Sequence, residues 1–128
     1  APPKPAAPIL EPGRAPGLDR RTADRLRRGL LPIDARIDLH GMIQAEAHGA
    51  LTEFIHDSAS AGLRCVLVIT GRGSRSAGRM GVLRAAVPDW LNRPVCRGFV
   101  LAFAPAQPRH GGDGALYVLL RRKRPRNP

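Results

Sequence analysis

Cysteine, lysine and aromatic side chains are all scarce in this chain of 128 residues, and each scarcity removes a class of protein. The two cysteines, Cys65 in an apolar run and Cys96 near a turn, form neither a disulfide framework nor a metal-binding quartet, so a reduced, cytoplasmic protein is expected. Phe, Trp and Tyr make up 4% of the residues, too few for recognition built on rows of stacked bases. No apolar stretch reaches the roughly 20 residues that span a bilayer, and the N-terminus lacks the apolar segment of a signal peptide, so no membrane partner is expected. The chain begins at Ala1 rather than Met, as a fragment or a processed chain does. Its length and 43% hydrophobic content suffice for one core, and a single domain with tails, acting as a monomer, is the expectation.

Acidic residues are scarce too. Lys and Arg outnumber Asp and Glu 21 to 10, a net charge of +11. Such a surplus implies a polyanionic partner, because neutralising phosphates releases condensed counterions. Lysine occurs only at Lys4 and Lys123; the other basic residues are arginine, whose planar fork suits phosphate and base contacts and points to nucleic acid. A genome that encodes Arg in place of Lys would give the same composition.

Residues 1–17 are rich in Pro and Ala and read as an extended or disordered lead-in. Residues 18–32 read as a basic helical arm, with Asp19 as N-cap and Leu26, Leu30 and Leu31 as its few apolar positions. Residues 33–39 alternate apolar and charged, the period of a half-exposed strand. A helix follows to Ala61, with Ala47, Leu51, Phe54, Ile55 and Ser58 on one face and Gly62 as its stop. The continuous apolar run 65–69 predicts a central strand buried on both faces, parallel to the first. Residues 70–81 form a polar loop with four glycines. A second helix over 82–91 contains Pro88, where it should kink or restart. Strands over 98–104 and 115–120, joined by a mobile glycine-rich loop, predict an antiparallel hairpin, and residues 123–128 a basic tail. The order β-α-β-α-β-β predicts a two-layer α/β sandwich with a small four-stranded mixed sheet.

Two short segments could carry chemistry. Asp38 and His40 stand one residue apart at the end of a strand, so they share a face and leave Leu39 for the core. A carboxylate beside an imidazole serves as a general acid–base pair or as two ligands of a divalent cation. The same residues also suit a purely structural turn. Thr70, Gly71, Arg72, Gly73 and Ser74 follow a buried strand and precede a helix, where open α/β sheets bind ligands. Glycine amides can approach an anion there, and Arg72 and Arg75 can fork onto phosphate; a plain glycine turn is the alternative. The loop lacks the Gly-Lys-Ser/Thr of a P-loop and the third glycine of a dinucleotide fingerprint. Nor is there an acidic ribose partner, which weighs against a small-molecule nucleotide enzyme. His110, in the hairpin loop, is a candidate phosphate donor. His48 and His56, eight residues apart, do not chelate and are expected at the surface, with Trp90 in the core.

The combination Ile37-Asp38-Leu39-His40-Gly41, Val68-Ile69-Thr70-Gly71-Arg72-Gly73-Ser74, Gly81-Val82-Leu83-Arg84 and the closing Gly-Gly-x-Gly-Ala-Leu-Tyr resembles the Smr (small MutS-related) domain over residues 33–122, in its stand-alone bacterial form. The resemblance implies a fold similar to the C-terminal domain of bacterial initiation factor three. It also implies nucleic-acid binding and, in several members, endonuclease activity on DNA or RNA. The Leu-Asp-Leu-His motif of the family falls on residues 37–40, and its His-Gly-x-Gly motif on residues 70–73, with Thr70 in place of histidine. On this basis Asp38 and His40 are catalytic candidates for phosphodiester hydrolysis. Thr70, Gly71, Arg72, Gly73, Ser74, Arg75, Arg79, Arg84 and His110 are nucleic-acid-binding candidates. A divalent cation is an open cofactor, and DNA, RNA or the ribosome the expected partner. The other expectation is a binding module without catalysis.

Overall fold

The computed structural model describes residues 9–15, 17–72 and 81–121. In chain order these form α1 (Arg20–Arg27), β1 (Ala35–Asp38), α2 (Gln44–Ser60), β2 (Cys65–Ile69), α3 (Val82–Leu91), α4 (Pro94–Arg97), β3 (Val100–Pro105) and β4 (Ala115–Leu120). The four strands make one mixed sheet in the order β1-β2-β4-β3, with β1 parallel to β2 and β4 antiparallel to both of its neighbours.

Burial explains the sequence of each strand. Val66 and Val68 of β2 and Leu116, Val118 and Leu120 of β4 point into the core beneath the helices. Cys65 and Leu67, with Ala115, Tyr117 and Leu119, point to the opposite face, which also packs. Strands covered on both sides have no position for a polar residue, hence the unbroken apolar runs. At the sheet edge, β1 turns Ala35 and Ile37 to the core and leaves Arg36 and Asp38 exposed. Helix α2 contributes Ala47, Leu51 and Ile55, one turn apart, to the same core. It ends in a Schellman turn: Leu63 N–H donates to Ser58 O, Gly62 N–H donates to Ala59 O, and Gly62 takes a φ of 76°. Both thiols are buried, and burial, then the nearby Asp34 carboxylate, pushes Cys65 up to about 11.

The expected two-layer sandwich is present, and α1 adds cover on the second face. Asp19 caps it by accepting from Thr22 N–H, and Ala23 and Leu26 are buried. Leu26 joins the apolar cluster of Leu67, Ala104, Tyr117 and Leu119. The C-terminal carbonyls of the arm are taken up by the hairpin loop, where Gln107 Nε2 donates to Arg27 O at 2.7 Å and Arg109 Nη2 donates to Arg28 O at 2.9 Å. Guanidinium and amide donors suit the negative end of a helix.

Three expectations need correction, one is narrowed and one element is additional. Residues 9–15 belong to the segment expected to be a disordered lead-in, yet Leu10 is buried, Asn92 bonds both its N–H and its carbonyl, and Gly13 N–H donates to Phe103 O at 2.8 Å. This stretch covers the free edge of β3, a sheet edge that otherwise leaves backbone groups unpaired. The loop between β3 and β4, expected to be mobile, consists of two 3-10 turns, Pro108–His110 and Gly112–Gly114, held by the bonds to α1. Helix α3 runs through Pro88 without restarting, and its carbonyl accepts from Asn92 Nδ2. The short α4 was not anticipated; Pro94 at its first position needs no hydrogen-bond acceptor. His48 and His56 are half-buried and structural: His48 packs edge-on against Trp90, and His56 Nε2 lies 2.7 Å from Val95 O.

Candidate nucleic-acid interface

The ends of β1 and β2 meet at one edge of the sheet. Leu39 N–H donates to Ile69 O at 2.7 Å, carrying the parallel ladder one residue past β1 and placing His40 beside the residues that follow β2. Leu39 itself is fully buried, which forces Asp38 and His40 outward together. Asp38 Oδ1 accepts from the backbone N–H of His40 at 3.0 Å and lies 2.6 Å from His40 Nδ1. The first contact is an Asx turn. The second fixes the imidazole tautomer, with the proton on Nδ1 facing the carboxylate and Nε2 left as the outward atom. The ring hydrogen bond, then the backbone one, hold the Asp38 carboxyl below the usual carboxylate range. Side-chain exposures of 67% for His40 and 50% for Asp38 keep the pair open to a ligand. Gly41, at a φ of 80°, turns the chain back toward α2.

Gly114, just before β4, ties down the loop after β2. Its carbonyl accepts from Thr70 N–H at 2.8 Å, from Gly71 N–H at 3.0 Å and from Thr70 Oγ1 at 3.3 Å. Glycine is required at two of these positions because the segments nearly touch. A Cβ on Gly71 would lie 3.1 Å from His40 Cβ, and one on Gly114 would lie 3.2 Å from the Gly71 carbonyl carbon. Gly71 therefore serves by its left-handed backbone, at a φ of 75°, as well as by its small size. Its amide, expected to face phosphate, is already bonded to Gly114 O, which corrects that reading.

Arg72 follows immediately and is exposed, with its guanidinium passing beside Gly112. Gly81, where the described chain resumes, lies next to the backbone carbonyl of Arg72 and the side chain of Arg84, while the Arg72 guanidinium lies beside Gly112. Thr70 is buried, and its hydroxyl donates to the carbonyls of Gly71 and Gly114 rather than outward. His110 was expected to reach this edge. Instead its Nδ1 bonds the buried Tyr117 hydroxyl, which also accepts from Gln107 N–H, so the imidazole braces the hairpin loop. Gly73, Ser74, Arg75 and Arg79 lie outside the described residues.

One feature of the site was not foreseen. A cleft of about 430 Å³ opens beside the pair, lined by residues 41–44 at the entry to α2, Thr70, and residues 81–83 at the entry to α3. Among the described residues neither helix start carries a side-chain cap. A signal was available: Ile43 holds the N-cap position of α2 and Gly81 that of α3, where helices usually begin with Ser, Thr, Asp or Asn. Arg36, exposed on the same face of β1 as Asp38, adds a cation to this side of the sheet. Among the described residues no three His, Cys, Asp or Glu side chains gather as metal ligands. A divalent cation held by the Asp38 carboxylate would therefore complete its shell with water and phosphate oxygens, the usual arrangement for Mg²⁺.

A family model for the Smr domain matches residues 37–121. The chain is similar to the "Probable DNA endonuclease SmrA" of Escherichia coli K12, with 35% identity over 109 residues that cover 85% of this chain and 57% of the relative. It is also similar to the ribosome rescue factor SmrB of Shewanella sp. W3-18-1, with 38% identity over 119 residues, 91% of this chain and 62% of the relative. The chain thus spans about three fifths of the length of these curated relatives. Among solved structures, YdaL, a stand-alone small MutS-related protein from Escherichia coli, superposes with a TM-score of 0.72 at 34% identity, covering 91% of this chain and 88% of that one. The Smr domain of Thermus thermophilus MutS2 gives 0.58 at 31% identity, covering 68% of this chain and 98% of that domain. Its motif ends, its mixed sheet and these likenesses agree, and the chain belongs to the Smr domain family.

Proposed function

We propose that this protein binds nucleic acid across the β1–β2 edge and cleaves a phosphodiester bond there, with Asp38 and His40 as the catalytic pair. The observation that carries the reading is the 2.6 Å contact between Asp38 Oδ1 and His40 Nδ1, on an exposed pair that abuts Gly71, the residue before Arg72. Asp38 holds the tautomer and stabilises the imidazolium when it forms, while His40 Nε2 exchanges a proton with an oxygen of the reacting phosphodiester. In-line displacement puts the attacking and leaving oxygens on opposite sides of phosphorus, so one imidazole serves one of them and solvent the other. Arg72 and Arg84, both exposed, offset the charge that builds on the phosphoryl oxygens. A divalent cation bound by Asp38 would supply further charge neutralisation. Relatives named as a DNA endonuclease and as ribosome rescue factors support nucleic acid, free or on the ribosome, as the partner. The reading places the protein in the cytoplasm, acting as a single copy.

A second reading, a binding module without cleavage, is favoured by Thr70, whose hydroxyl is directed to backbone carbonyls where the family motif has an imidazole. Incubating the purified chain with supercoiled plasmid and with structured RNA separates the two. Cleavage that Asp38→Ala and His40→Ala each reduce by about a hundredfold or more supports catalysis. Cleavage by both variants at the wild-type rate removes the pair from the mechanism. Salt-sensitive binding without cleavage, weakened by Arg72→Ala, establishes the module.

A further inference from the structure

We infer that the cleft between the starts of α2 and α3 receives one unpaired nucleobase of the bound strand, so that the substrate is single-stranded or locally opened at the reacting phosphate. This rests on the nucleic-acid reading above and goes beyond it by naming the form of the substrate. The cleft is apolar where an interface for phosphates alone would be polar. Ile43 is 63% exposed and Val82 37% exposed, and both line it together with Met42 and Leu83. Exposed aliphatic side chains lining one cleft have a use when a flat, weakly polar body covers them. Pockets that take a flipped base are walled by such apolar side chains as well as by aromatic ones. Gln44, exposed at the rim, brings an amide whose adjacent donor and acceptor match the hydrogen-bonding edge of a base.

Size and position agree. About 430 Å³ lies toward the small end of the roughly 300–1,000 Å³ typical of small-molecule sites, room for a single nucleoside and not for a duplex. Gly41, in the cleft wall, is the residue after His40, and Thr70, also in the wall, precedes the Gly71 that abuts His40. A base in the cleft therefore carries its own phosphate to the Asp38–His40 pair. The Arg84 side chain lies beside Gly81 in the cleft wall and complements the charge of the flanking phosphates. A stacked, paired base must leave its duplex to enter a cleft of this size. With aromatic residues at 4% of the chain, this cleft supplies the base contact that stacking platforms provide elsewhere.

The test measures binding by the full chain to three probes of equal length: a single-stranded oligonucleotide, an abasic sugar-phosphate oligomer and a duplex of the same sequence, made in DNA and in RNA forms. The wild type is expected to bind the base-bearing single strand on the order of tenfold more tightly than the abasic oligomer or the duplex, in at least one of the two sugars. The double variant Ile43→Ser, Val82→Ser should lose that preference while keeping the salt dependence of its binding to the abasic oligomer. Both residues are exposed, so the fold should survive; if it does not, the comparison of probes on the wild type still decides. Equal wild-type affinity for the single strand and the abasic oligomer, or a preference that persists in a folded double variant, overturns the cleft assignment alone. No binding to any probe overturns the nucleic-acid reading and the cleft assignment with it.

Discussion

At Asp38 one carboxylate oxygen serves two donors, the backbone N–H and the ring Nδ1 of His40, which leaves Oδ2 for solvent, cation or substrate. Both hydrogen bonds favour the ionised form, so the carboxyl titrates below its ordinary value of 3.8. A depressed carboxyl contributes its share of stability above the unfolded value and loses it as pH falls through the folded one. The carboxyl carbon of Asp38, followed by NMR, should therefore show a midpoint below 3.8 that moves back toward it in His40→Ala. A midpoint at or above 3.8 in the wild type would mean that the pair is not formed in solution. The two-residue spacing made a shared face legible from sequence, because alternation along a strand is a local property. The roles of Gly71 and His110 were not legible. Each depends on a partner far away in the chain, the Gly114 carbonyl for one and the Tyr117 hydroxyl for the other.

The strands were the easiest elements to read, since burial on both faces writes itself as the unbroken runs of β2 and β4. Helix α2 was nearly as clear from its apolar spacing and from Gly62. Connections were harder. Helix α4 is only four residues long, too short for any periodicity, and the two 3-10 turns after β3 owe their order to bonds with α1. The junction of β4 with the loop after β2 gives an element-scale prediction. Gly114→Ala places a methyl 3.2 Å from the Gly71 carbonyl carbon and 3.4 Å from Arg72 N, against backbone that cannot rotate away. The substitution should destabilise the fold by about 1–3 kcal/mol in denaturant unfolding and, by displacing Arg72, weaken nucleic-acid binding. Unchanged binding in a destabilised variant would separate the loop position from recognition.

For the molecule as a whole, α1 is part of the fold rather than an appendage. It covers the β3–β4 half of the second sheet face through Leu26, which is 2% exposed, and leaves the β1 half, with Arg36 and Asp38, open. Leu26→Ala should cost about 2–5 kcal/mol, lowering the single thermal unfolding transition of the entire domain. Loss of α1 helicity with the transition unmoved would show the arm to be independent. The net charge of +11 sets the long-range attraction to polyanions whatever the local geometry. Composition and short-range periodicity were enough to give the order of the strands and long helices, the mixed sheet, the expectation of a polyanionic partner and the shared face of Asp38 and His40, because each follows from near neighbours in the chain or from a sum over it. The docking of Leu10 and α1, the amide of Gly71 turned to Gly114, and the apolar cleft beside His40 needed the folded chain. Each joins segments distant in sequence, and no local pattern states which surfaces will meet when the sheet closes over its core.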